Sequence, residues 1–172
     1  MPMYARHTRP ATIGDLAGHV REKLTAHADS HQLILNDVQA WLTHSENLPS
    51  GSGLGKLLRR KANPSDPDAE HDTVVVLHPT HLLVAIDGVK RGTSVLSLPL
   101  AQASVVSGTG LDARLGTVTG ETGETGGFTI SGLAGDSPGS FYVGLGTEPA
   151  AAECFAAVEA AITAAKNPAK PR

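Results

Sequence analysis

The chain has 172 residues, of which 40% are hydrophobic, 18% are charged and only 3% are aromatic. This length and composition fit one compact domain with an aliphatic core and exclude wholesale disorder. The net charge of −3 gives no overall attraction to nucleic acid, so no nucleic-acid partner is predicted.

The cellular location is predicted from what the sequence lacks. Cys154 is the only cysteine, which excludes an intramolecular disulfide and a cysteine-rich zinc site. The N-terminal residues contain no apolar run typical of a signal peptide, and no apolar stretch approaches the ~18–20 residues of a membrane span. We therefore expect a soluble, cytoplasmic protein.

The first predicted element is a helix that begins near Thr12, where Thr12 and Asp15 have capping-box spacing. Its apolar stripe consists of Ile13, Leu16, Val20 and Leu24. The stripe can be followed as one long helix to residue 42, but a second capping signal at Asp29 also fits a break there. Residues 1–32 are assigned to an N-terminal helical extension.

The next segment fits both a strand and a helix. We predict a strand over residues 38–44, where Val38, Ala40 and Leu42 alternate with polar or aromatic neighbours. Residues 47–72 are rich in proline and small polar residues, which predicts a long loop.

From Thr73 onward the sequence predicts a run of short antiparallel strands joined by glycine-rich turns, in the stretches "TVVVLH", "HLLVAI", "TSVLSLPL", "ASVVSG", "LGTVTG", "GFTIS" and "SFYVGL". A helix capped by Thr147 follows, with an apolar stripe over Ala151, Phe155, Val158 and Ile162 and with Cys154 beside it. Strands followed by one amphipathic helix indicate an α+β fold in residues 33–166, with the helix burying Phe155, and a flexible tail in residues 167–172.

This order of elements, and the stretch "VLHPTHLL" over residues 76–83, resembles the pleckstrin-homology-like domains of bacteria. The resemblance covers roughly residues 33–165. It implies an antiparallel β-sandwich or barrel capped by a C-terminal helix, with a first strand before the Thr73 hairpin.

The resemblance also implies a candidate ligand site. In members that bind phosphoinositides, basic residues in the loop after the first strand grip the phosphates. The corresponding loop here contains Lys56, Arg59, Arg60 and Lys61. Asp66, Asp68, Glu70 and Asp72 follow in the same predicted loop and are expected to cancel this basic run. Four cations at about 1 kcal/mol each give only weak contact with an anionic membrane.

Two motifs that point to nucleotide binding or catalysis lack residues that this chemistry needs. "SGSGLGKL" lacks the first glycine of a phosphate-binding loop, and Leu57 stands where Ser or Thr would bind magnesium. "GDSPG", residues 135–139, matches a nucleophile elbow, but Pro138 has no N–H for an oxyanion hole and no histidine follows the serine. The stretch is predicted to be a hairpin turn.

The remaining reactive residue types favour structural roles. His27 and His31 share a helix face and His78 and His81 flank a turn, but two ligands are too few for zinc. Cys154 has no base partner and is predicted to be a buried small apolar residue. No catalytic residue, metal or cofactor is therefore predicted.

The sequence favours a non-catalytic module for protein interaction or scaffolding, whose partner is another protein or a second copy of the chain. The alternative is a peripheral binder of anionic lipid headgroups that uses residues 56–61.

Overall fold

The fold is described from a computed structural model, which describes residues 3–49, 61–108, 126–134 and 137–169. These residues form two helices, α1 (Gly18–Ser30) and α2 (Pro149–Lys166). They also form eight strands: β1 (Tyr4–Ala11), β2 (Gln39–Asn47), β3 (Glu70–Leu77), β4 (His81–Gly88), β5 (Gly92–Pro99), β6 (Ser104–Ser107), β7 (Gly127–Ala134) and β8 (Ser137–Gly144).

The strands form two antiparallel sheets in which neighbours along the chain are neighbours in the sheet. The larger sheet has the order β1-β2-β3-β4-β5, and the smaller has the order β6-β7-β8. The α+β class, the strand predicted over residues 38–44 and the Thr73 hairpin are confirmed. The stretch "LGTVTG", residues 115–120, lies outside the described residues.

The described strands do not form a closed barrel, which was one of the two architectures that the resemblance implied. Pro99 ends β5 and has no N–H to continue a ladder, and a short 3-10 turn over Leu100–Gln102 separates β5 from β6. The N–H of Ala103 bonds to the carbonyl of Pro99 within this turn instead of to a neighbouring strand. The chain therefore starts a second sheet rather than closing the first.

The two faces of the larger sheet are buried against different elements. One face packs on α1, through a cluster that contains Leu24, Val74, Val76 and Leu83. The other face packs on the smaller sheet and α2, through a cluster built around Phe128. Residues at alternate positions of a strand point to opposite faces, so residues 74–77 of β3 and 82–86 of β4, which are covered on both faces, are apolar at every position.

Helix α1 starts later than predicted. Thr12 and Asp15 flank a short 3-10 turn, where the N–H of Thr12 donates to Asp15 Oδ2 at 2.9 Å, and the α-helix begins at Gly18. It ends at Ser30, and Gln32 follows with a φ of 58° that is incompatible with a continuing helix. The break predicted near residue 30 is thus confirmed, and the single long helix is wrong.

Strand β1 is not predicted by the sequence. It pairs with β2 in the register Thr8↔Thr43, and the two buried hydroxyls lie 2.8 Å apart. The outward N–H of Thr8 donates to Glu148 at the start of α2. The backbone of Pro10, two residues further along, also faces away from β2. No hydrogen bond to β2 is lost there although proline has no N–H.

Helix α2 is close to its prediction. Its buried residues are Ala150, Ala151, Cys154, Val158 and Ile162. Phe155 is only partly buried, against Phe128 at a ring-centroid distance of 5.6 Å. Glu148 rather than Thr147 precedes the first helical residue, Pro149. Among the described residues, neither helix has the length and apolar composition needed to span a membrane.

Candidate functional site

A charged cluster joins the loop before β3 to the turn between β4 and β5. Asp66, Asp68 and Arg91 form it, and we call it the loop–turn cluster. Asp66 is 7% exposed and Asp68 is 2% exposed, whereas the Arg91 side chain is 27% exposed. Carboxylates are rarely buried to this extent unless they are paired.

Asp68 closes the turn between β4 and β5. Its carboxylate accepts hydrogen bonds from the backbone N–H of Lys90 at 2.7 Å, from the backbone N–H of Arg91 at 3.3 Å and from Arg91 Nε at 2.8 Å. A Cβ on Gly88 would overlap this carboxylate, so the close approach requires glycine. The N–H of Lys90, with the Arg91 donors, lowers the pKa of Asp68.

Asp66 accepts hydrogen bonds from β1, from its own loop and from the β4–β5 turn. Its carboxylate accepts from the Tyr4 hydroxyl at 2.6 Å, from the backbone N–H of Asp68 at 3.0 Å and from Arg91 Nη2. Burial alone raises the pKa of Asp66, but these donors outweigh it and hold the pKa at about 2. Burial and the Asp66 carboxylate together raise the pKa of Tyr4 to about 12.

Further hydrogen bonds fix the backbone around this cluster. Lys61 Nζ donates to the carbonyls of Asp66 at 3.2 Å and Pro67 at 3.1 Å. Asn63 donates to the Tyr4 hydroxyl at 2.9 Å, and Asn47 donates to the carbonyl of Asn63 at 2.8 Å. Residues 61–69 are therefore held at many points along β1, β2 and the β4–β5 turn.

These hydrogen bonds fix a surface that carries an exposed apolar side chain at the β4–β5 turn. Val89 lies at the turn that Asp68 closes and is 94% exposed, and Lys90 beside it is also exposed. We call residues 61–69 and 88–92 together the loop–turn surface. It presents an apolar side chain and a cation on a backbone that buried charges hold in place.

Only one of the four basic residues predicted as an anion site is described. Lys61 pairs with Pro49 in an isolated bridge, and its ammonium binds the two carbonyls of the loop. Lys56, Arg59 and Arg60 lie outside the described residues.

The four acidic residues assigned to the predicted loop do not all lie in it, because β3 begins at Glu70. Asp66 and Asp68 are buried against Arg91, while Glu70 and Asp72 belong to β3. The loop–turn cluster was missed because Arg91 is distant in sequence. The available signal was the Asp-x-Asp spacing before a strongly apolar strand.

The histidines of both pairs weighed as metal ligands bond to neighbouring groups of the chain. The rings of His27 and His31 stack at 4.3 Å, His27 Nε2 lies 2.9 Å from Ser97 Oγ, and the His31 ring bonds the carbonyl of His27 at the helix end. His78 and His81 both contact the hydroxyl of Thr80 in the hairpin turn.

The prediction that Cys154 is a buried residue is confirmed, and the hairpin turn predicted in "GDSPG" falls partly outside the described residues. Cys154 is fully buried, and burial raises the pKa of its thiol to about 12. Three residues of "GDSPG", Ser137 to Gly139, belong to β8, which pairs with β7. Residues 135 and 136 of this stretch lie outside the described residues.

A second polar cluster lies on β2 and β3, where His44, Glu46 and Glu70 bring possible metal-ligating atoms within 4.8 Å of one another. The sequence analysis did not single out these residues. The sequence pattern that could have indicated them is a spacing of two residues, His-x-Glu on one strand and Glu-x-Asp on the next.

Comparison with protein-family models, with curated proteins and with solved structures finds no match to this chain.

Proposed function

We propose that the chain is a non-catalytic, pleckstrin-homology-like module that binds a protein partner through the loop–turn surface. The observation that carries this proposal is the burial of Asp66 and Asp68 against Arg91. Removing an ion from water costs several kcal/mol, and well-packed apolar residues often stabilise a fold equally well. Here the buried ions join two surface segments, and what they provide is a fixed surface conformation.

A fixed surface is an advantage for binding. A partner that meets a preformed loop does not have to order it, so less conformational entropy is lost on association. Val89 offers an apolar contact at the centre of the turn, and Lys90 offers a charged contact beside it. An apolar centre with a polar rim is the arrangement found in protein interfaces.

The order of elements supports the pleckstrin-homology-like part of the proposal. A strand, β2, precedes the β3–β4 hairpin, further antiparallel strands follow, and α2 ends the described fold. The use of the reactive groups supports a non-catalytic role. Both acids of the loop–turn cluster accept several hydrogen bonds from the chain itself, and Cys154 is buried with a raised pKa.

Site-specific photo-crosslinking tests the proposal. A photoreactive amino acid at Val89 of the full chain, in cells of its native host, is expected to give a discrete adduct. The matched control position is Ile34, which is also exposed but lies in the α1–β2 connection. Asp68→Asn, which weakens the closure of the turn, is expected to reduce the Val89 adduct.

Two results would contradict the proposal. One is the same adduct pattern from Val89 and Ile34, and the other is an undiminished Val89 adduct in the Asp68→Asn chain. Vesicle co-sedimentation separates the lipid alternative. Binding to anionic but not neutral vesicles that is lost in a Lys56/Arg59/Arg60/Lys61→Ala variant would favour headgroup binding over a protein partner.

A further inference from the structure

The polar cluster on β2 and β3 is built by strand register. His44 lies opposite Asp72, and Glu46 lies opposite Glu70. Side chains two residues apart on a strand share a face, so all four project from the same side of the sheet. This is the side that α1 covers further along, and here the four side chains are half-buried or exposed.

Asp72 orients the imidazole. Its Oδ1 lies 2.7 Å from His44 Nδ1, and because an ionised carboxylate can only accept, this hydrogen bond places a proton on Nδ1. In the neutral ring, Nε2 then carries the lone pair. A carboxylate behind a ligating histidine is the usual arrangement at metal sites, where it fixes the tautomer and raises the basicity of the ligand.

The lone pair of Nε2 faces two carboxylates at a spacing that suits a metal ion. Nε2 lies 3.5 Å from Glu70 Oε2 and 3.8 Å from Glu46 Oε1. Zinc binds nitrogen and oxygen ligands at about 2.0–2.2 Å, so two ligands on a tetrahedral ion lie about 3.4 Å apart. Small rotations of the exposed glutamates bring the observed spacing to this value.

The cluster carries an electrostatic cost that a cation removes. Glu46 and Glu70 are directly opposite on neighbouring strands, and like charges in this position destabilise a sheet. Asp72 adds a third carboxylate, so a single protonated His44 leaves the cluster negative. On the neighbouring strand His7 lies opposite His44, but its ring binds Glu148 at 2.8 Å.

We propose that His44, Glu46 and Glu70 bind a divalent transition-metal ion, with Zn²⁺ the best match, and that Asp72 is a positioning residue that orients His44. The imidazole ligand favours zinc over calcium or magnesium, which prefer oxygen. Three protein ligands on an exposed surface leave a fourth position for water or for a donor from a partner. The inference does not depend on partner binding at the loop–turn surface.

Zinc and a proton compete for His44. The Asp72 hydrogen bond raises the pKa of His44 against the opposing effect of burial, and Asp72, Glu70 and Glu46 add to the rise through their charges. The metal binds the unprotonated Nε2, which keeps its lone pair because the hydrogen bond to Asp72 places the ring proton on Nδ1.

Calorimetric titration of the full chain with Zn²⁺, without a polyhistidine tag, tests the site. We expect saturable binding of one ion, a loss of at least tenfold in affinity for His44→Gln and for Glu70→Gln, and about tenfold for Asp72→Asn. The matched control is His19→Gln. His19 Nε2 also lies 2.9 Å from a carboxylate, that of Asp87, but His19 belongs to no group of three possible metal ligands among the described residues. The control should bind as the parent does.

Spectroscopy of the Co²⁺-loaded chain gives an independent readout. We expect the absorption of a four-coordinate ion in the parent and its loss in Glu70→Gln. Glu70 is 63% exposed, so this variant is expected to fold as the parent does even if His44→Gln does not. No saturable Zn²⁺ binding, or equal binding by the parent and Glu70→Gln, would overturn the proposal.

Discussion

Replacing Asp66 with alanine is expected to lower the free energy of unfolding by about 2–4 kcal/mol. The substitution removes an acceptor shared by Tyr4, Arg91 and the backbone of Asp68, and leaves the Arg91 guanidinium with Asp68 alone. The value lies below that of a fully buried pair because water reaches part of the Arg91 side chain. Urea unfolding monitored by circular dichroism measures it.

Asp29→Ala is the matched control for this substitution. Asp29 is exposed near the end of α1, and an exposed substitution of this kind changes stability by about 0.5 kcal/mol or less. Equal stability of the Asp66→Ala and Asp29→Ala chains would show that the loop–turn cluster does not support the fold.

The same substitution has a pH signature. The pKa of Asp66 is about 2 in the folded chain, below its usual 3.8, so its contribution is complete above about pH 4 and is lost as the pH falls toward 2. The stability difference between the parent and Asp66→Ala should therefore shrink over this range. A difference that stays constant from pH 5 to about pH 2 would contradict the assigned pKa.

The second large effect is expected at the α1 face of the sheet. The Leu24 side chain of α1 is fully buried against apolar residues of β3 and β4. Leu24→Ala should lower the free energy of unfolding by about 3–4 kcal/mol, because lost burial and a residual cavity add together. Denaturant unfolding measures this, with the exposed neighbour Glu22→Ala as the control.

This experiment also tests how α1 relates to the rest of the chain. A helix that stood away from the sheet would show little difference between Leu24→Ala and Glu22→Ala. A helix that forms part of the core should unfold together with the sheet in one transition, and α1 and the sheet should lose stability equally in the Leu24→Ala chain.

The elements that the sequence predicts well are those with an uninterrupted local pattern. The β3–β4 hairpin shows as apolar β-branched runs on either side of a Pro-Thr turn, and α2 shows as a stripe of 3.6-residue period ending before proline. In such elements the order of apolar and polar residues shows whether one face or both faces of the element are buried.

Strand β1 has no such pattern. It is an edge strand in which only Thr8 is fully buried, and Pro10 argues against a strand in the sequence although it is tolerated at an edge. Its position is decided by pairing with β2, whose partner residues lie 29 to 43 positions further along the chain. Local sequence cannot show that pairing.

The candidate sites could not be predicted for the same physical reason. Asp66 and Asp68 look like solvated charges until the β3–β4 register brings the Arg91 turn against them. His44 and Glu70 meet only because β2 and β3 pair across the long connection between them. Spacing within a strand shows which of its side chains share a face, but it does not show which residues of another strand lie opposite them.

Amide hydrogen exchange at Lys90 and Asp68 tests most directly whether buried charges hold the loop–turn surface in one conformation. The N–H of Lys90 donates to Asp68 and the N–H of Asp68 donates to Asp66. We therefore expect both amides to exchange as slowly as those of β3 and β4, and to lose protection in Asp68→Asn while β3 keeps it. Exchange of both amides at the rate of an unstructured chain would contradict a preformed binding surface.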